Sequence, residues 1–212
     1  MENPVIIIGA GGLGKAALDI FTTNDVVVYG FLDDKAELKG KEIGEVLVLG
    51  STDDEQYLNI IGKSCEACIA VDDNRYRKKL VKMLNEDRKV QPVNAVHNKA
   101  YIAPSASIGH GNFINAGASV GAEAKIGNHC IIHTNAVIDF TAQLGDFVQV
   151  GAGSLVNAGV VVEDEAFIGS GVTIVSGVKI GKGARIGAGS VVVTEVGEGE
   201  TFFGNPAKKV EV

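Results

Sequence analysis

Val120-Gly121-Ala122-Glu123-Ala124-Lys125-Ile126-Gly127-Asn128-His129-Cys130-Ile131-Ile132-His133 is the stretch whose reading decides the fold. Val120, Ile126 and Ile132 stand six apart, and every sixth residue from Ile102 to Val192 is likewise aliphatic. Four positions after each comes a small or modest residue, such as Ala118, Ala124, Cys130, Ala136, Ser154 or Ala184, with Asn112 the misfit. A period of six matches neither the 3.6 of a helix nor the 2 of a hairpin strand, so it marks a repeat array. Each hexad reads as a short strand and a turn: the aliphatic residue points inward, the small one shares the interior, and Gly, Asn and Asp relieve the corners. Three hexads close a triangular coil, and stacked coils pair their backbones at about 4.8 Å. The general preference for right-handed crossovers predicts a right-handed coil.

Ahead of the array, Val5-Ile6-Ile7-Ile8 runs into Gly9-Ala10-Gly11-Gly12-Leu13-Gly14-Lys15, and a helix follows, which is a strand, glycine loop, helix unit. A strand over 26–31 ends in Leu32-Asp33-Asp34, where two carboxylates would meet a ribose or base. Further expected elements are a strand over 46–49, helices over 53–61 and 75–85, and strands over 67–71 and 90–92. The expectation is an α/β Rossmann-like domain over 1–98 and an all-β domain over 99–212. The first lacks a second mononucleotide half, so a nucleotide-sugar suits it better than a dinucleotide.

Composition narrows the function classes. With 46% hydrophobic residues and 28 Gly in 212, the chain can bury a sizeable core. Net charge is −7, with 12 basic against 16 acidic residues up to position 98 and 7 against 10 beyond it, so neither half offers a basic face to nucleic acid or anionic lipid. No apolar run approaches the ~18 residues of a membrane span, and Met1-Glu2-Asn3-Pro4 lacks the regions of a signal peptide; the expected location is cytoplasmic, without membrane insertion. Cys65-Glu66-Ala67-Cys68 has no second Cys or His pair at ligand spacing and reads as reduced thiols.

The hexads resemble those of the hexapeptide-repeat acyltransferases. Gly9 to Lys15, Phe31-Leu32-Asp33-Asp34 and Ala70-Val71-Asp72-Asp73-Asn74-Arg75-Tyr76-Arg77 resemble the small domain that precedes the β-helix in the sialic-acid O-acetyltransferase and UDP-sugar N-acetyltransferase group (NeuD/PglD-like). The resemblance implies a left-handed parallel β-helix, against the general crossover rule, and a homotrimer with acetyl-CoA in the groove between neighbouring β-helices. It implies donor contacts at Gln149, Ala158, Ser170, Ser176, Ala188 and Lys208, and nucleotide-sugar contacts at Gly11, Gly12, Leu13, Gly14, Lys15, Asp33, Asp34, Asp73 and Asn74. The chain departs from the family where Leu13 replaces a His, Asp72 a Gly, Phe140 the catalytic His, Thr141 its carboxylate partner, and Gln149 a second His.

Acetyl transfer to an amine or hydroxyl needs a proton acceptor with a pKa near the working pH, usually His, and Phe140 cannot serve. His110 and His129 fall at corners and read as solvated turn residues. His133 falls beside the column of Thr134, Ala152, Ser170 and Ala188 and is the candidate base, with Asp139 to orient it. The expected function is acetyl-CoA-dependent acetylation, without a metal, of a sugar that is nucleotide-linked and destined for a surface polysaccharide or glycan. The alternative is a catalytically silent trimeric paralogue that binds CoA or nucleotide-sugar as a scaffold or regulator. A γ-type carbonic anhydrase would need three zinc-binding His, and no such trio is spaced for it.

Overall fold

The computed structural model describes residues 3–211; Met1 and Glu2, part of the stretch read for a signal peptide, lie outside the described residues. The chain divides into two compact units after Asn98.

In the first unit, β1 (Val5–Ile8) is buried throughout and forms the centre of a sheet. It pairs in parallel with β2 (Val28–Leu32) on one side and β5 (Glu66–Ile69) on the other, and β2 pairs in parallel with β4 (Val46–Gly50). The short β3 (Glu42–Ile43) lies antiparallel on the outer edge. The order β3-β4-β2-β1-β5 runs outward from β1 and then returns to its other side. The carboxyl ends of β1 and β5 therefore flank a topological switch point, where open α/β sheets bind ligands. Helix α1 (Gly12–Thr23) starts earlier than the Gly-rich run suggested and places Lys15 in its first turn. Helix α2 (Glu55–Leu58) is shorter than expected, and α3 (Asn74–Lys82) widens into a π turn over Met83–Asp87. The strand expected over 90–92 does not form: Pro92 has no N–H to give, the Val90 N–H goes back to Leu84 O (3.0 Å), the Val93 N–H bonds Ala67 O (2.8 Å), and the short strand comes later, at Ala95–Val96.

The second unit is the parallel β-helix. Strand partners are 18 residues apart, as in Ile132 with Ile114 and with Val150, so three hexads make one coil. The first face stacks Tyr101–Ile102, Ser119–Val120, Val137–Ile138, Leu155–Val156, Thr173–Ile174 and Val191–Val192. The second stacks Ser107–Ile108 through Lys179–Ile180, and the third Phe113–Ile114 through Arg185–Ile186, extended by Thr201–Gly204 and its antiparallel partner Ala207–Val210. From Ile114 to Val192 every sixth residue is buried, as the period requires. Each corner needs a residue with φ near +60°. Glycines such as Gly153, Gly171 and Gly189 supply it in the later coils, while Glu123, His129, Asn135, Thr141 and Phe147 hold the same conformation in the middle ones. That conformation costs a non-glycine residue roughly 1–2 kcal/mol, and the stacked ladder holds it in place.

Asn112, the misfit of the pattern, is 1% exposed and points inward. Its Oδ1 accepts the Cys130 N–H (2.7 Å) and its Nδ2 donates to Gly127 O (2.9 Å). Ser154 does the same for the coil above it, donating to Gly169 O (2.8 Å) and accepting the Val172 N–H (3.2 Å). These inward polar groups satisfy backbone that the coil would otherwise bury unpaired. His129 departs from the solvated corner expected of it: it is 5% exposed, with its ring centroid 4.9 Å from that of Phe147 one coil on.

Candidate active site

The glycine loop of the first unit is shaped by close contacts. A Cβ on Gly14 would lie 1.9 Å from Gly9 O, and one on Gly9, at φ +108°, would lie 2.5 Å from Ala70 O. Gly14 thus serves the packing of α1 on β1. At Gly11 and Gly12 a Cβ would meet nothing within 4 Å, so their backbone faces open space at the start of α1, where free N–H groups attract an anion. Lys15 is exposed in the same turn. Leu13, expected at the ligand, is 5% exposed and turns its apolar side chain into the core, leaving only its backbone to that side.

The carboxylates also hold the loops. Asp33 accepts the Ala10 N–H at Oδ2 (2.8 Å) and the Lys35 N–H at Oδ1 (2.9 Å), tying the strand end to the glycine loop. Asp73 caps α3 by accepting the Tyr76 N–H (2.7 Å). Asn74 Oδ1 accepts from Arg77 Nη2 (2.8 Å), and Arg77, buried at 2% exposure, also donates to Val71 O (2.8 Å) and Asp72 O (3.0 Å). Arg77 therefore fixes the 71–74 corner from behind.

Asp34 accepts from the Thr52 N–H and Oγ1, both at 2.8 Å, and from the Tyr76 hydroxyl. Burial alone would raise its carboxyl, but the bonds from Tyr76 and Thr52, with Lys79 nearby, outweigh it and hold the pKa below the usual 3.8. Tyr76 is pushed up to about 12, by burial first and then by its bond to Asp34. Asp34, Thr52, Tyr76 and Lys79 line a cleft of about 470 Å³ beside the ends of β2 and β4. Sequence reasoning found Asp34 but missed Thr52 and Tyr76, which reach it from the turn after β4 and from the first turn of α3. Cys68, buried on β5, is pushed up to about 12 by burial, as suits an inert thiol.

In the β-helix, His133 follows Ile131–Ile132 at the corner after the third face. Its Nε2 lies 3.2 Å from Gln149 Nε2, and its ring centroid is 6.4 Å from that of Phe113. The strand register stacks His133 over Asn115 and under Gly151, one column beside Thr134, Ala152, Ser170 and Ala188. Gly151, Gly169 and Gly187 continue its own column because the coils pass too close for a side chain: a Cβ would lie 2.4 Å from Ser170 N, 2.7 Å from Ala188 N and 2.1 Å from the Phe203 ring, respectively. The result is a strip of bare backbone edged by exposed Ser170 and Ala188.

One expectation for this region is corrected. Asp139 does not orient His133: it stands one hexad on, at the next corner of the triangle, and its Oδ1 accepts the Phe140 N–H (2.8 Å). The small residues expected at the donor groove stand at two corners of the coil. Ala158 and Ser176 stack above Phe140 after the first face, whereas Ser170 and Ala188 stack after the third. Phe140 is 54% exposed, and Thr141, at φ +58°, donates to Phe140 O (2.7 Å). Lys208 is exposed on the terminal hairpin. Among the described residues no group of three His, Cys, Asp or Glu is placed to hold a metal ion.

The family model described as the PglD N-terminal domain matches residues 4–84, and that for the bacterial transferase hexapeptide matches 105–140 and 159–194. A histidine-to-asparagine variant of perosamine N-acetyltransferase from Caulobacter crescentus, in complex with CoA and GDP-perosamine, superposes with a TM-score of 0.91 at 31% identity, over 100% of this chain and 99% of that one. The chain belongs to the PglD-type hexapeptide-repeat acyltransferases. The acetyltransferase domain of PglB from Neisseria gonorrhoeae, in complex with acetyl coenzyme A, is similar at 28% identity and a TM-score of 0.91, over 99% of this chain and 100% of that one. WeeI from Acinetobacter baumannii is similar at 26% identity and 0.87, over 98% and 99%. An uncharacterized protein, L142 of Acanthamoeba polyphaga mimivirus, is 29% identical over 114 residues; the match spans 52% of this chain and 21% of that protein. With these relatives the coil of this PglD-type acyltransferase is the left-handed one.

Proposed function

We propose that this chain transfers the acetyl group of acetyl-CoA to an amine or hydroxyl of a nucleotide-linked sugar, with an amine favoured by its N-acetylating relatives. The observation that carries the reading is the end-to-end likeness to a protein that holds CoA and GDP-perosamine together. In this reading residues 1–98 hold the nucleotide: the Gly11–Gly12 backbone and Lys15 take the phosphates, and the Asp34, Thr52 and Tyr76 cleft takes the nucleoside. The β-helix, residues 99–212, holds the donor. Because its small residues lie at two corners, one pantetheine arm engages both sets only in a groove between two copies, which supports a homotrimer. The apolar outward side chains Tyr101, Val137, Leu155 and Val191 of the first face suit such an interface, whereas Lys125, Gln143 and Lys179 on the second suit solvent. The cytoplasm, a reducing compartment, suits the buried cysteines Cys65, Cys68 and Cys130, which form no disulfide. No described helix is long and apolar enough to cross a membrane.

The acceptor attacks the thioester carbonyl directly, its proton passes to His133, and the carbon–sulfur bond breaks to release CoA, which regains a proton at sulfur. His133 serves as base because its imidazole borders the backbone strip where a thioester fits. Appearance of free CoA thiol with acetyl-CoA and a panel of GDP-, UDP-, CMP- and dTDP-amino sugars tests the reading. His133→Ala should lower turnover roughly 10²- to 10⁴-fold with CoA binding unchanged. Full turnover in that variant removes His133 as base.

One observation favours a second reading, a silent scaffold: the family base position holds the exposed ring of Phe140. It predicts that CoA and nucleotide-sugars raise the melting temperature by mass action while no thiol is released with any acceptor.

A further inference from the structure

The hairpin at the end of the chain puts an aromatic ring where the strip of bare backbone stops. Thr201–Gly204 extends the third face, and the pairing of Ile186 with Phe202 sets Phe203 over Gly187, the last glycine of its column. The fit is close: a Cβ on Gly187 would lie 2.1 Å from the ring, so glycine lets the ring rest on the backbone. Ser190 fastens the hairpin to the coil, donating from Oγ to Gly187 O (2.7 Å) and accepting the Gly204 N–H (3.1 Å). Phe203 nevertheless stays 57% exposed, an aromatic surface held in place and left open to water. Across the hairpin it pairs with Lys208, so the two side chains project from the same side as close neighbours. Lys209 is committed to Glu200 (2.8 Å), whereas Lys208 makes no ion pair among the described residues.

An open aromatic face beside an uncommitted cation suits a nucleobase that carries phosphate, since every base has a face to stack and the phosphates need a positive partner. We infer that Phe203 is the residue by which this enzyme tells acetyl-CoA from a thioester that lacks the nucleotide. Adenine stacks on the Phe203 ring, a CoA phosphate meets Lys208, and the arm runs along the glycine strip with its thioester toward His133. The inference rests on acetyl-CoA being the donor. The register makes four steps from His133 through Gly151, Gly169 and Gly187 to Phe203, about 19 Å at the 4.8 Å spacing of paired strands, a span suited to an extended pantetheine arm. An aliphatic side chain at position 203 would offer burial without a ring to stack on.

The test compares acetyl-CoA with S-acetylphosphopantetheine, which keeps the arm and one phosphate but has no adenosine, in wild type, Phe203→Ala and Phe203→Tyr. KM is measured for both donors, CoA affinity by calorimetric titration, and assembly by sedimentation. Phe203→Ala should raise the acetyl-CoA KM and the CoA Kd roughly 5- to 150-fold, the usual worth of one stacked base. The KM for S-acetylphosphopantetheine, which has no adenine to lose, should stay put, and Phe203→Tyr should restore the preference for acetyl-CoA. Lys208→Gln should weaken CoA binding and flatten its dependence on salt. Equal losses for both donors, no loss for either, or a loss that follows only from a change in assembly would overturn the inference and leave Phe203 a packing residue. If wild type releases no CoA thiol with any acceptor, the acetyl-transfer reading falls; titration of CoA against phosphopantetheine then still decides whether Phe203 holds the adenine.

Discussion

Asn112→Ala sets the repeat pattern against the structure, because the two predict opposite signs. By the pattern, Ala is the usual residue at this inward position and the change should be neutral or stabilising. In the structure Asn112 is 1% exposed and bonds the Cys130 N–H at 2.7 Å and Gly127 O at 2.9 Å. In other hexads the equivalent N–H closes a turn on the carbonyl three residues back, as Ala124 does on Gly121 and Ala136 on His133. At Cys130 that hydrogen goes to Asn112 instead. Alanine withdraws a partner from one buried donor and one buried acceptor, at about 1–3 kcal/mol each. A loss of about 3 kcal/mol corresponds to a fall in Tm of roughly 6–12 °C for a chain of this size. Calorimetry at one fixed protein concentration measures it, with circular dichroism to confirm an intact β-helix. An Asn112→Ala protein as stable as wild type would refute the reasoning. Ser154→Ala, which withdraws one hydroxyl from the same kind of site, should cost about 1–3 kcal/mol.

Thr141→Gly should raise stability by about 0.5–1 kcal/mol in chemical denaturation, because relief of a β-branched residue at positive φ exceeds the entropy glycine adds to the unfolded chain. Ala188→Trp should abolish acetyl-CoA binding in calorimetric titration, since it fills the strip edged by exposed Ala188 without entering the core; unchanged affinity places the donor elsewhere. The lowered pKa of Asp34 means its carboxylate stabilises the fold above the unfolded value of 3.8 and ceases to as pH falls through the still lower folded value. The stability gap between wild type and Asp34→Asn should therefore be constant above about pH 5 and close below pH 4, and a gap independent of pH would refute that. The proposed homotrimer predicts that Leu155→Glu, on the apolar first face, shifts sedimentation from three chains to one.

The period of six determined more of this protein than its local propensities did. It told which side chains face inward from Ile114 to Val192 and how many residues make a coil, because inward and outward facing follow from spacing alone; in the first unit the apolar run Val5–Ile8 and the glycines after it marked a buried strand followed by a helix. In the first unit, element ends slipped where a proline or a short turn decided them, as at Pro92. Tertiary structure alone decided which outward side chains meet. His133 and Gln149 are sixteen apart and touch only because the coil returns after eighteen; His133 and Asp139 are six apart and sit at different corners. Leu13 turns into the core, His129 settles on Phe147, Asn112 mends a backbone gap, and Thr52 and Tyr76 converge on Asp34 from a turn and from α3. In each case a rotamer or a contact between distant segments makes the choice, and neither leaves a periodic mark in the sequence.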